Sequence, residues 1–262
     1  MKKSEINIFK PIRPKRAGVA LSLKNFSVKA KQKTLVDKIN LKIKAGEIHF
    51  LLGPNGAGKS TLLQALAQNQ PTLNILKTSA SLFGKNFLAL APEKKVQAGL
   101  WLSHQNSLDI PGLPLIVLAR TAYEEIFGYK NTPKLLAFRA HLENLARDLN
   151  LHLEILSQPF NEKSSGGEKK KIELLFLQLF QPAFCLIDEI DSGLDIDALK
   201  LVAKTVQNLK KQKAGILLVT HSFRLAKFLT PDKVHIMAGG KIIKSGTAVL
   251  LKMLEKKGFE KL

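Results

Sequence analysis

Hydrophobic positions change period along this chain, and the changes mark its elements. From Ala20 they alternate as Leu21 and Leu23, then Phe26 and Val28, and alternation returns in Ile39, Leu41 and Ile43. Period two predicts strands with one buried face, here two antiparallel strands of a β-rich flank. Gly46 punctuates, and Ile48 to Leu52 is a short apolar run that predicts a further strand, ending at Gly53. Lys59 to Gln68 then carries helix formers, among them Leu62, Leu63, Ala65, Leu66 and Ala67. Strand, glycine-rich loop and helix form the βα half of a parallel α/β unit.

Leu100 to Leu102 is another short apolar strand. From about Asp109 to Asn161 the spacing turns helical, as in Leu135, Phe138, Leu142 and Leu145. This stretch is expected to be a helical subdomain, about residues 106–170, inserted into the α/β core. Pro182 precedes a buried-type strand, Ala183 to Ile187, and Leu199, Val202, Ala203 and Val206 share one face of a helix over Asp197 to Leu209. Ile216 to Val219 predicts one more buried strand. Val234 to Met237 and Ile242 to Ile243 predict a hairpin around Gly239 and Gly240. The expected fold class is α/β, with an antiparallel β subdomain and an inserted α-helical one.

At 262 residues and 29.0 kDa the chain suits one large domain with a subdomain. Its 41 Lys and Arg against 21 Asp and Glu leave a net charge of +20. Such a balance suits nucleic acid, an anionic surface or an acidic partner. The lysines are scattered, however, and concentrate only in residues 1–17, read as a basic arm ahead of a domain over 18–262. Cys185 is the single cysteine, which excludes an intramolecular disulfide and a Cys-rich metal site. No secretory h-region and no membrane-length apolar run is found; the richest stretch, Leu174 to Ile187, is broken by Gln178, Gln181 and Pro182. The expected location is the cytoplasm.

Gly53-Pro54-Asn55-Gly56-Ala57-Gly58-Lys59-Ser60, followed by Thr61, fits GxxxxGK[ST]. Its glycines let backbone N–H groups converge on phosphates, helped by the positive end of the following helix. Lys59 is expected to meet the β- and γ-phosphates, and Ser60 to offer a hydroxyl to Mg²⁺. The strand Phe184 to Ile187 runs into Asp188 and Glu189. Asp188, at the carboxyl edge of a parallel sheet, is placed to hold Mg²⁺, and Glu189 to polarise an attacking water.

Further motifs carry a family resemblance. Ser165-Gly166-Gly167-Glu168 resembles the signature of ATP-binding-cassette ATPases, with Ser164 where Leu is usual. Ser192-Gly193-Leu194-Asp195 resembles their D-loop, His221 their switch histidine and Gln105 their Q-loop glutamine. The resemblance implies ATP as substrate, Mg²⁺ as cofactor and a site completed by a second copy. Ser165, Gly166 and Gly167 would then face the neighbour's nucleotide, His221 the γ-phosphate, and Gln105 the Mg²⁺. One departure concerns adenine: the aromatic residue usual in the first hairpin is missing near Val28 to Ala30. SGGEKKK at Ser165 to Lys171, DEIDSGLDIDAL at Asp188 to Leu199 and TPDKVHIMAGGKIIKSG at Thr230 to Gly246 are similar to the SufC family of iron–sulfur cluster assembly. That similarity implies SufB- and SufD-like scaffold proteins as partners. A nucleotide-binding subunit of an ATP-binding-cassette membrane transporter shares every catalytic motif and stays open as the alternative. A nucleic-acid-bound cassette is disfavoured by the single P-loop and single cysteine.

Overall fold

The computed structural model describes residues 18–67, 72–76, 78–103, 110–160, 164–220 and 223–257. These fall into two compact units, one within residues 13–105 and 182–262, the other within 106–181.

The larger unit begins with β1 (Val19–Ala30) and β2 (Lys33–Lys44), a long antiparallel hairpin. Alternation buries Leu21 and Leu23 against Leu41 and Ile43, while Lys42 and Lys44 stay exposed. Asn25 and Lys38 take positive φ of 50° where the register shifts, so each strand carries a bulge that strict alternation hides. β3 (Ile48–Leu52) leads into α1 (Lys59–Ala67). Three short strands follow, β4 (Leu73–Ile75), β5 (Ser79–Leu82) and β6 (Lys85–Asn86), all on the antiparallel sheet. The apolar pattern gave no sign of them, because each is too short to show a period. Helix α2 (Pro92–Gln97) and β7 (Leu100–Ser103) complete this half.

In the smaller unit, β8 (Ile110–Pro114) precedes α3 (Leu115–Phe127), α4 (Leu135–Asp148), β9 (Pro159–Phe160) and α5 (Gly166–Phe180). The stretch expected to form a helical subdomain opens and closes on a two-stranded pair, β8 with β9. Pro111 and Pro114 explain this, since proline lacks the donor a helix interior needs. Tyr123 anchors the core, with ring centroids 5.6 Å from Phe138 and 6.3 Å from Phe180. Phe180 closes α5, so this helix belongs to the unit to its end, past a boundary near residue 170.

The chain returns to the larger unit in β10 (Phe184–Asp188), α6 (Ile196–Lys211), β11 (Gly215–Val219), β12 (Lys233–Ala238), β13 (Lys241–Gly246) and α7 (Ala248–Lys257). The second sheet has the order β13-β12-β3-β11-β10-β7, parallel except for β13. β3, β10 and β11 are buried at every residue, which is why they are apolar apart from His49 and Asp188. At Gly215 a Cβ would come 2.8 Å from the Phe184 ring and 2.9 Å from Ala20, so β11 starts with the one residue that fits. Burying each Leu, Val or Ile of this core stabilises the fold by roughly 1.5–3 kcal/mol.

Candidate functional site

The loop between β3 and α1 is shaped by contacts behind it. Gly53, Gly56 and Gly58 have φ of +154°, +76° and +100°, which L side chains rarely adopt. A Cβ on Gly53 would overlap the Met237 carbonyl oxygen, and one on Gly58 would sit 2.7 Å from the Leu35 carbonyl oxygen. Gly240, in the turn between β12 and β13, donates its N–H to the Ala57 carbonyl at 3.0 Å and accepts from Asp37 N–H at 2.8 Å. The final hairpin and β2 together back the loop. Sequence reading found the glycine turn at 239–240 but not this role, since nothing local couples it to residue 57.

Lys59 opens α1 and is only 4% exposed. Its ammonium donates to the carbonyls of Gly53 and Pro54, each at 2.9 Å. Burial pulls its pKa below the usual lysine range, while Glu189 and then Asp188 push it back up. Both carboxylates are therefore close enough to be felt by this ammonium. Asp188 ends β10, is 4% exposed, and pairs in register with Val219 of β11. Glu189 turns the chain at φ +50°, donating N–H to Val219 at 3.0 Å and accepting from Ser192 N–H at 3.1 Å. A non-glycine residue held there costs about 1–2 kcal/mol. Just beyond, the Thr220 hydroxyl donates to the buried Asp191 carboxylate at 2.6 Å, a pair that sequence reading missed.

The remaining motif residues are divided between the units. Asp195 caps α6, its carboxylate accepting the Ala198 N–H at 2.7 Å. In the smaller unit Ser165 caps α5 in a reciprocal box: its hydroxyl accepts from Glu168 N–H at 3.2 Å, and its own N–H donates to the Glu168 carboxylate at 2.9 Å. The Ser165 N–H, and after it the Ser165 side chain, hold the Glu168 carboxyl below its usual range. A Cβ on Gly166 or Gly167 would meet nothing within 4 Å, so the first turn of α5 keeps an uncluttered face. Gln105, His221 and the basic arm of residues 1–17 lie outside the described residues.

The donor set decides which groups the loop fits. Loop N–H groups, a lysine and a helix N-terminus suit phosphates. The Asp188 carboxylate and the Ser60 hydroxyl are hard oxygen donors of the kind a divalent cation such as Mg²⁺ takes. Among the described residues no cluster of three His, Cys, Asp or Glu could hold a metal without a phosphate ligand.

Comparisons with known proteins agree with this chemistry. The ABC transporter family model matches residues 36–192. The chain is 35% identical over 241 residues to the probable ATP-dependent transporter SufC of Escherichia coli, covering 91% of this chain and 97% of that one. It is 38% identical to the probable ATP-dependent transporter ycf16 of Trieres chinensis, over 92% of this chain and 96% of the other. Among solved structures, an ATP-binding subunit of an ABC transporter aligns with a TM-score of 0.75 at 24% identity, over 93% of this chain and 95% of that one. A cassette solved as a dimer in a post-hydrolysis state with ADP and Pi aligns at 0.75 and 18% identity, over 87% of this chain and 98% of that one. These two show the shared fold. By family match, by identity and by the loop it builds, this chain belongs to the ABC transporter family and is one of its ATP-hydrolysing cassettes, similar to SufC and ycf16.

Proposed function

We propose that this chain spends ATP hydrolysis on reshaping a scaffold of the SufB and SufD type during iron–sulfur cluster assembly. The observation that carries the reading is identity running through 91% of this chain and 97% of the Escherichia coli SufC. The geometry suits the hydrolysis. Gly53 to Thr61 would cradle the phosphates, with Lys59 neutralising charge between the β- and γ-phosphates. Glu189 would orient the attacking water in line with the γ-phosphate, and His221 would contact that phosphate. Mg²⁺, when bound, neutralises charge developing on the phosphate oxygens, and Ser60, Gln105 and Asp188 would hold it. Asp195 would keep the D-loop in place by capping α6.

One copy supplies only half of this arrangement. Ser165, Gly166 and Gly167 would complete the site of a second copy, the α5 N-terminus facing its γ-phosphate. The isolated chain is accordingly expected to be monomeric and slow, with ATPase activity that rises with protein concentration. The work would be done in the cytoplasm on this reading. No helix among the described residues is long and apolar enough to cross a membrane.

A transporter role is the second reading. It is favoured by 38% identity to a probable ABC transporter ATP-binding protein of Streptococcus pyogenes, over 91% of this chain and 93% of that one. Affinity capture from native lysate with mass spectrometry separates the two. Two related soluble scaffold proteins support the cluster-assembly reading. An integral membrane permease overturns it and leaves the ATPase in place.

A further inference from the structure

Four polar side chains form a continuous line from Glu47, just ahead of β3, through the buried His49 of β3 and His235 of β12 to the exposed Ser245 of β13. The Ser245 hydroxyl lies 2.7 Å from His235 Nδ1, His235 Nε2 lies 3.0 Å from His49 Nδ1, and His49 Nε2 lies 3.2 Å from a Glu47 carboxylate oxygen. His49 is 0% and His235 5% exposed. An ionised carboxylate only accepts, so the tautomers follow: His49 donates to Glu47, His235 donates to His49, and Ser245 donates to His235. In this state each contact has one donor and one acceptor, and both rings are neutral. Protonating both rings would set two N–H groups head-on.

This line sits at the base of the hairpin that backs the phosphate loop. His235 pairs in register with Leu51 of β3 and with Ser245 of β13. Two residues on, the Met237 carbonyl abuts Gly53, and beyond it Gly240 N–H holds the Ala57 carbonyl. We propose that His49 and His235 are positioning residues of the nucleotide site: uncharged, they pin the β12–β13 hairpin against the phosphate loop, and protonation in mild acid loosens it. This rests on the reading of Gly53 to Ser60 as the nucleotide cradle.

The surroundings favour the neutral pair. Burial, His49 and Lys233 push the His235 pKa down to about 4; burial lowers that of His49 against the opposing pull of Glu47. Asp232 is engaged by Lys210 of α6 at 2.7 Å. β11 brings no charge, β2 turns its apolar Leu41 and Ile43 inward and leaves Lys42 and Lys44 exposed, and on β13 Lys241 pairs with Asp37 while Lys244 is exposed. On α7, Lys252 and Glu255 are exposed. Opening the hairpin returns each histidine to an ordinary pKa. The closed form is thus fully favoured above pH about 6.5 and loses ground as pH falls toward 4, about tenfold per pH unit for His235 alone.

Hydrogen exchange with mass spectrometry on the whole protein tests this, at pH about 7 and about 5.5, with and without saturating ADP, after correction for intrinsic exchange. The expected result is about tenfold more opening of residues 233–246 at the lower pH, absent in His235→Phe, with ADP slowing exchange in both 53–61 and 233–246. His235→Asn replaces the Phe variant if that one does not fold. No excess acid opening in the parent, or excess that persists in the variant, overturns the proposal. So does ADP protection confined to 53–61. Failure of ADP to protect 53–61 at all overturns the cradle reading instead, and this inference with it.

Discussion

The N–H of Gly240 donates to the carbonyl of Ala57 at 3.0 Å, joining a turn late in the chain to the phosphate loop early in it. Gly240 has φ +79°, and a Cβ there would sit 2.8 Å from the Leu35 carbonyl oxygen, a backbone atom with little room to move. Its neighbour Gly239 has φ +53° but nothing within 4 Å. Gly239→Ala is therefore expected to cost only the backbone strain, about 1–2 kcal/mol. Gly240→Ala should cost that and more, about 2–4 kcal/mol, and raise KM for ATP severalfold with kcat less changed. Urea unfolding and steady-state kinetics check both. Equal effects of the two variants would mean that the turn does not support the loop.

Lys95 illustrates a second long-range contact, and one with a pH signature. It is 1% exposed, donates to the Leu66 carbonyl in the last turn of α1 at 2.7 Å, and lies 5.3 Å from the Phe87 ring centroid. Burial pushes its pKa down to about 8. A lysine depressed in the folded state is fully charged on both sides of the unfolding transition below pH about 8. Between about 8 and 10.4 the unfolded chain holds more protons, so stability rises with pH across that window. The gain over that range is expected to be about 3 kcal/mol in the parent relative to Lys95→Met. Unfolding curves for both proteins at pH about 7.5, 9 and 10 measure it. Parallel pH dependence in the two would remove Lys95 as the cause.

These examples show which features a linear reading can reach. The phosphate loop, the Asp188–Glu189 strand end and the fully buried strands β3, β10 and β11 were legible because local residue order makes them: glycines for the turn, short, mostly apolar runs for strands buried on both faces. Ser165 and Asp195 were legible as motif residues, and their capping bonds explain part of why those types stand there. What stayed hidden depends on register between distant strands. His235 opposite Leu51, Gly240 beside Ala57 and Thr220 bonded to Asp191 all join segments whose pairing no short window encodes. The strand pair β8–β9 was hidden for another reason: helical spacing nearby outweighed two prolines that should have stopped the helix early.

Ser165 caps α5, and the proposed function gives it a second job that mutation can separate from the first. As the cap of α5 it satisfies the Glu168 N–H, and Ser165→Ala should cost about 1 kcal/mol of stability. Ser165→Asp keeps an acceptor at the cap and should hold stability near the parent value. If α5 faces a neighbour's γ-phosphate, both variants should lower ATPase activity at least about tenfold, the Asp variant more, because it sets a carboxylate against a phosphate. ADP affinity should stay at the parent value in each, since the phosphate loop lies in the other unit. Calorimetry for ADP and a coupled ATPase assay give the two readouts. Parent-like activity in the Asp variant would mean that this helix end meets no phosphate.

Glu189 provides the sharpest test of the chemistry. Its backbone is held at φ +50° by hydrogen bonds to Val219 and Ser192 that a glutamine would keep, so Glu189→Gln changes the carboxylate and little else. An amide cannot accept the proton or polarise the water as a carboxylate does, and kcat is expected to fall about 10²–10⁴-fold. ATP should still bind, because Lys59 and the loop are untouched. With hydrolysis blocked, two copies that share nucleotides should stay paired, and light scattering should report a dimer with Mg²⁺ and ATP but a monomer with ADP. A variant that hydrolyses ATP at the parent rate would remove Glu189 from the water-orienting role. One that is inactive yet stays monomeric with bound ATP would keep that role for Glu189 and count against sites shared between two copies.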